Sequence, residues 1–463
     1  MSIVKYLSIV LLFLFLGGTI YFNNARAGVS VPEALQLGTS LTPFGAEKAG
    51  NRDGTIPPYT GGLTETDIPA DFKKGSGRWT DPFPKEKPLY SISSRNMAKY
   101  DKKLSEASKA LLRKYPSYRM DIYPSHRSVA YPSCVLENSR KNATRARLIN
   151  GGLTVDGAIG GVPFPIVKNG NEAMWNHLLR YNGHAVKMRA STWFVTTKGV
   201  AINSADINAH WQNPYYNPQW TLADLKKNGN YYDQAAYNFI GPPQAFGNAS
   251  LTTDSLDPVK QPRRVWTYSA ASRRIRIAPD FAYDTPVASV GGVVTYDERT
   301  LFIGKLDMFD FKLLGKREMF IPYNNYNLLF QATSSQFLTP RHINPDFVRW
   351  ELHRVWVVEA NLKKGQRHVI GRRVYYFDED WGGGGMCDAY NNMGQLVKGL
   401  FNMFTQLYDI QTPNARNYWA YDLMSGIYSF SLHLGDPGMG LWPQPEGFPN
   451  LLFTPDALPN RMR

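Results

Sequence analysis

Cysteine is almost missing from this 463-residue sequence, in which Cys134 and Cys387 are the only two. So small a supply excludes a disulfide-built scaffold and any cysteine-rich metal knuckle. The pair leaves two readings open: one long-range bridge, adding roughly 5 kcal/mol at best on the chain-entropy model, or two separate buried thiols. Catalytic signatures are missing too, since there is no GxSxG elbow, no HExxH helix, no Walker loop and no dinucleotide fingerprint. Only His177 and His184 of the eight histidines lie close together, and they straddle a predicted helix end, so no metal site is assigned. No catalytic residue and no cofactor is assigned either. Internal repeats are absent, which excludes solenoids. Acidic residues are in short supply, 38 against 52 Lys and Arg, for a net charge of +14. That balance favours an anionic partner, whether nucleic acid or acidic headgroups.

What is present begins with an export signal. Lys5 provides a positive start, Tyr6 to Phe22 is apolar apart from Gly17-Gly18, and Ala25-Arg26-Ala27 has the small-x-small form of a cleavage site. Residues 1–27 read as a signal peptide cleaved after Ala27; the competing reading is an uncleaved membrane anchor. No cysteine follows the apolar run to carry a lipid. Losing Lys5 and Arg26 leaves the chain strongly basic, and an exported protein in the periplasm does not meet nucleic acid.

Residues 28–95 are dense in Gly, Pro, Thr and Asp and predict an extended arm over the body. Residues 96–435 carry the regular patterns of a β domain, and 436–463 predict a Pro-rich tail anchored by Leu451, Leu452 and Phe453. Leu104, Ala107, Leu111, Leu112 and Tyr115 recur at helical spacing until Pro116 ends the run. A second helix is expected over Asn171–Tyr181, closed by Asn182-Gly183. Val186, Met188, Ala190 and Phe194 alternate with polar residues as in a half-buried strand. Arg264–Tyr268 pairs with Arg273–Ile277, and Trp350–Ala360 with Arg367–Asp378, as successive hairpins of an antiparallel meander. Asp378-Glu379-Asp380 makes the next turn, and the glycines 382–385 weaken strand formation, suggesting a bend and an open sheet edge.

Large aromatics at alternate positions mark one face of these strands. Trp266 and Tyr268 point one way on their strand, Leu352 and Trp356 on theirs, and Tyr376 joins them on the next; these five are the candidate lining of an apolar interior. Arg273, Arg274, Arg276 and Arg372 are the candidate basic rim, for anionic headgroups or an acidic partner. The bland alternative is a solvated strand face.

Five stretches carry a family resemblance. LGTSLTPFGAEKAGNRDGTIPPYTGG (Leu37–Gly62), PFPIVKNGNEAMWNHLLRY (Pro163–Tyr181), RVWTYSAASRRIRIAP (Arg264–Pro279), RRVYYFDEDW (Arg372–Trp381) and FTPDAL (Phe453–Leu458) resemble the exported bacterial proteins of domain-of-unknown-function family 1329. That family is similar to the outer-membrane lipoprotein-sorting, LolA/LolB-like proteins. The resemblance implies a mainly β (α+β) fold, a strongly curved antiparallel sheet or half-barrel with a few covering helices around an apolar cavity. It also implies a shuttle for a lipid or other hydrophobic molecule, beside a resistance-nodulation-division type transporter and an outer-membrane protein. The expectation is a binding protein and not an enzyme, with a ligand-free docking component or an unrecognised hydrolase as alternatives.

Overall fold

Period-two alternation turns nearly half of the chain between residues 185 and 433 into strand. The computed structural model describes residues 28–278, 283–414 and 416–460; the expected signal peptide and its cleavage after Ala27 lie outside the described residues. Two short strands come first, β1 (Tyr90–Ile92) and β2 (Met120–Ile122), antiparallel to each other. A first meander follows: β3 (Ala185–Val195), β4 (Ala201–Gln212), β5 (Tyr231–Gly241), β6 (Ala249–Ser255), β7 (Arg264–Ser269) and β8 (Arg274–Ile277). A second comprises β9 (Phe309–Pro322), β10 (Trp350–Leu362), β11 (Ile370–Asp378), β12 (Gly385–Asn391), β13 (Leu396–Asn402), β14 (Tyr418–Asp422) and β15 (Tyr428–His433). Within each meander consecutive strands pair antiparallel, so both are built from local hairpins.

The last strand of the second meander pairs with the first strand of the other, β15 against β3, joining the two into one sheet. The short β16 (Gly440–Pro443) lies beside β3, and β2 touches β10 in parallel at Trp350, completing sixteen strands. β8 and β9 each have a single neighbour, so the large curved sheet stays unclosed. The expected mainly β architecture is therefore the one observed, with a few helices laid over it.

Among the described residues three helices exceed eight residues: α1 (Glu106–Lys114), α2 (Ser133–Arg145) and α3 (Gly170–Leu178). In α1, Ala107, Leu111 and Leu112 are buried, and the Ser105 side chain accepts the Ser108 amide as its N-cap. Asn169 caps α3 in the same way, accepting the Glu172 amide at 3.0 Å. That helix ends three residues earlier than its sequence predicts. Side chains take the carbonyls that a further turn would need: Arg180 Nη1 donates to the His177 carbonyl at 2.6 Å, and the Tyr216 hydroxyl to that of Leu179.

The stretch expected as an arm is woven into the main core, where Phe44, Ala46, Ile56 and Trp79 are buried. At the other end Phe453 and Leu458 are buried against Ala236, Ala249 and Leu251 of the first meander, whereas Leu451, expected as an anchor, is exposed. Asp378, Glu379 and Asp380 are all buried, although such a triplet reads as a solvated turn. Arg127 donates from Nε to Asp380 at 2.9 Å, Arg354 bonds Glu379, and Lys316 bridges Glu379 at 2.7 Å to Glu47 at 2.8 Å. The glycines that follow do not open an edge: β12 is paired on both sides, to β11 and β13.

Cys134 and Cys387 are both free, the first exposed on α2 and the second buried in β12, so the long-range bridge is not formed. Burial pushes the Cys387 thiol well above its usual pKa, which removes the reactive thiolate. Alkylation of the native protein should therefore label Cys134 alone, and Cys387 only in denaturant. Mass mapping of the labelled peptides checks this; a linked Cys134–Cys387 peptide would overturn it.

Candidate functional site

The first meander has a hollow on its inner face. Rows of directly opposed residues run across the floor, in which Trp211, Thr252 and Val265 of one row and Tyr237, Ser250 and Thr267 of the next line the hollow, with Ala235 and Ala209 completing the rows. Most of these are small, and the floor consequently lies well below the segment that covers it. That cover is residues 283–303, which contribute Val287, Val290, Tyr296, Arg299 and Ile303, with Leu178 and Leu179 closing one end from α3. Between floor and cover is a cavity of about 550 Å³, within the usual range of small-molecule sites, roughly 300–1,000 Å³. Its aromatic wall is ordered by ring contacts, Trp211 against Tyr237 edge-on at 5.0 Å and Tyr215 against Tyr216 at 4.8 Å.

A buried ionic cluster fixes the cover to the second meander. Arg373 Nη1 donates to Asp297 at 2.8 Å, Lys398 Nζ to Glu298 at 2.7 Å, and Arg373 lies 3.7 Å from Glu298. Burial alone would raise both carboxyl groups, but Arg373 beside Asp297, and Lys398 with Arg373 beside Glu298, hold them below the usual carboxylate range.

Charge also lines the hollow itself. Asp233 on β5 stands directly opposite Asp254 on β6. Burial, reinforced by that neighbouring carboxylate, pushes Asp233 up to about 6, and burial raises Asp254 as well. Four arginines share the lining: Arg180 just after α3, Arg263 before β7, Arg299 in the cover and Arg416 before β14. Among the described residues only Arg263 has a carboxylate within ion-pair distance, Asp254 at 3.7 Å.

Of the five residues expected to line the interior, Tyr268 alone contributes to this cavity. Trp266 sits on the other face of the same strand, packed with Phe453 and Leu458, while its neighbours Val265 and Thr267 face inward. Leu352 and Tyr376 are buried in the core of the second meander, where the Tyr376 hydroxyl donates to Asp388 at 3.0 Å. Trp356 is half-buried beneath the Lys316 ammonium, 4.7 Å from its ring centre. Arg273, Arg274 and Arg276 are exposed at the β8 edge, as a rim requires, but Arg372 is not with them. It stacks on Tyr390 at 3.8 Å and pairs with Glu359 at 3.3 Å on the second meander.

Sequence reasoning missed Arg180, Arg299 and Arg416, since each lies just outside a regular element, where no periodicity fixes the direction of its side chain. The glycine run after Trp381 was the available signal. A side chain at position 383 would place its Cβ 2.5 Å from Arg180 Cδ, so glycine there makes the space that Arg180 occupies. A second cluster, His353, Asp378 and Asp380, brings ligand-type atoms within 4.8 Å of one another. Its oxygens are already engaged, Asp380 by Arg127 and Asp378 by the Tyr323 hydroxyl at 3.1 Å, and a charge network accounts for it.

Comparison with known proteins places the chain among relatives. A family model described as a protein of unknown function, DUF1329, matches residues 91–459. An uncharacterized protein of Pseudomonas aeruginosa is 37% identical over 417 residues, covering 88% of each chain. A DUF1329 family protein from Desulfovibrio piger is a structural neighbour with a TM-score of 0.41 at 13% identity, covering 62% of this chain and 95% of its own. A putative outer membrane lipoprotein-sorting protein domain from Vibrio parahaemolyticus has the same TM-score, 0.41, at 14% identity, over 62% of this chain and 97% of that one. A LolA superfamily protein from Nitrosomonas europaea follows at 0.36 and 11% identity, over 63% and 99%.

Proposed function

On the premise that the chain belongs to the DUF1329 family of proteins of unknown function, we propose that it is an exported, periplasmic binding protein that encloses a lipid or other hydrophobic molecule. The single observation that supports this is the covered hollow of about 550 Å³. A component with a purely docking role has no need of a lined hollow of this size; a carrier does, because its ligand fills the space for part of each cycle. In this reading the hydrophobe is handed on within the envelope, to or from a transporter of the resistance-nodulation-division type and an outer-membrane protein. The exposed Arg273, Arg274 and Arg276 supply a basic edge for such a contact. No helix among the described residues is long and apolar enough to cross a membrane.

The experiment is native mass spectrometry of protein released gently from the periplasm, followed by delipidation and titration with an uncharged acyl ester. A co-purified hydrophobe is expected, and the melting temperature should rise with ester concentration. The gain is about 2.7 kcal/mol of stability at a hundred times Kd. Protein without bound hydrophobe that also takes up none would shift the reading to docking. A hydrolase is the second reading, on the strength of the opposed Asp233 and Asp254, the former poised near 6 as a general acid. Ester recovered with its mass unchanged after prolonged incubation would exclude it.

A further inference from the structure

Resting on that carrier reading, we infer that the enclosed molecule is an amphiphile with one anionic headgroup, a carboxylate or phosphate, which binds between Arg180, Arg299 and Arg416.

Four guanidinium groups and two carboxylates face the hollow, and the only ion pair they form among the described residues is Arg263 with Asp254. Arg180, Arg299 and Arg416 come from three separate elements, yet converge on the same space. Their recorded bonds go to neutral atoms: Arg180 to the His177 carbonyl and the Thr300 hydroxyl at 2.9 Å, Arg299 to the Tyr237 hydroxyl at 3.2 Å, Arg416 to the Asn182 carbonyl at 3.0 Å. A guanidinium has five N–H donors, so each keeps donors in hand, and Arg180 Nε is buried with no partner at all. Rings hold two of the groups in place without neutralising them. Arg416 lies 5.5 Å from the Trp211 ring centre and Arg299 5.8 Å from that of Tyr237.

A buried cation without a counter-charge is expensive, and several in one hollow repel one another. Burial depresses both Arg180 and Arg416 to about 10, and the Arg180 guanidinium adds to the strain on Arg416. Asp233 offsets part of the excess from across the cavity but makes no ion pair of its own among the described residues. The arrangement is supported by the surrounding backbone, since Gly383 is the residue that leaves room for Arg180. An acidic headgroup would take the spare donors in forked, charge-assisted bonds while its apolar part fills the space over Ser250, Thr252 and Val265. A neutral hydrophobe would leave the arginines unsatisfied.

The test compares dodecanoate with its methyl ester on the delipidated full-length protein, by titration calorimetry, with inorganic phosphate as a third probe. Dodecanoate is expected to bind at least roughly tenfold tighter than the ester. Arg180→Gln and Arg416→Gln should each remove most of that difference, and a cooperative thermal transition of the unliganded variants shows that they fold. Asp233→Asn should act in the opposite direction, tightening dodecanoate and leaving the ester unchanged. Equal affinity for acid and ester, or a preference that survives both arginine substitutions, overturns the headgroup inference and leaves the carrier reading standing. Phosphate binding as tightly as dodecanoate would mean a site for a free anion and overturns the amphiphile. Uptake of neither acyl compound would remove both readings together.

Discussion

Ser250→Trp should greatly weaken uptake of any acyl ligand and at the same time leave the protein as stable as before or more so. Ser250 sits at the centre of the floor, opposite Tyr237 on one side and Thr267 on the other, and it faces the hollow. A tryptophan there suits a strand and projects into space that is otherwise unfilled. Overpacking costs stability where the core is already dense, but here the added ring replaces a void, and filling a void gains about 1–2 kcal/mol. The affinity loss should reach roughly a hundredfold, about 2.7 kcal/mol, because the ring and the acyl chain cannot occupy the same volume. Urea titration and ligand calorimetry on the one variant read the two effects separately. A stable variant that still binds with unchanged affinity would show that the hollow is not the binding site, and an unstable one would show that the floor is more tightly packed than its geometry indicates.

Arg373→Met should cost about 3–5 kcal/mol, the usual penalty for removing one partner of a buried ion pair. The side chain is fully buried and serves Asp297 and Glu298 together, while also stacking over the Phe309 ring at 4.9 Å. Methionine keeps the volume and loses the charge, leaving Asp297 with the His368 ring alone, its Nε2 at 3.2 Å, and Glu298 with Lys398 alone. The pH dependence has a definite sign. In the native protein both carboxyl groups are held below their unfolded pKa, so their contribution is present above the ordinary carboxylate range and is lost as pH falls through the depressed folded values. In the variant, burial raises Asp297, whose main opposing charge was Arg373, while Glu298 keeps Lys398. Acidification from pH 7.5 to 5 should then narrow the gap between variant and native protein, because protonation removes the uncompensated charge. Chemical denaturation at the two pH values checks this, and a gap that widens on acidification would contradict it. Because these carboxylates hold residues 283–303 over the hollow, the variant should also lose ligand affinity, which distinguishes this cluster from Asp378–Asp380 with its role in binding the N-terminal segment.

The same pattern decided which parts of this protein could be read from sequence. Residues 264–277 and 350–378 announce their hairpins because a strand's alternation and a turn's composition are local properties. Helix α1 is equally plain, with its apolar stripe and its Pro116 stop. Which face of β7 points inward could not be read in that way. Both faces are covered, one by the cavity and its lid and the other by Phe453 and Leu458 from the tail, so hydrophobic alternation gives no direction. Size then misleads. Trp266 and Leu352 are large and lie where the protein is solid, whereas the hollow exists where Ser250, Thr252, Val265 and Thr267 leave it. The arginines behave likewise. Arg273, Arg274 and Arg276 are conspicuous in sequence and exposed, while Arg373 in a similar run is fully buried, and Arg180, Arg299 and Arg416 meet only when the chain has folded.

Sequence by itself therefore determined the hairpins at 264–277 and 350–378, the strand at 186–194, helices α1 and α3 and the family, since each depends on residues close together in the chain or on motifs matched along it. The tertiary structure alone decided the hollow, its cover and the unpaired positive charge inside it. Those depend on where space is left over and on which distant groups share it, and neither volume nor desolvated charge is a property of any local stretch.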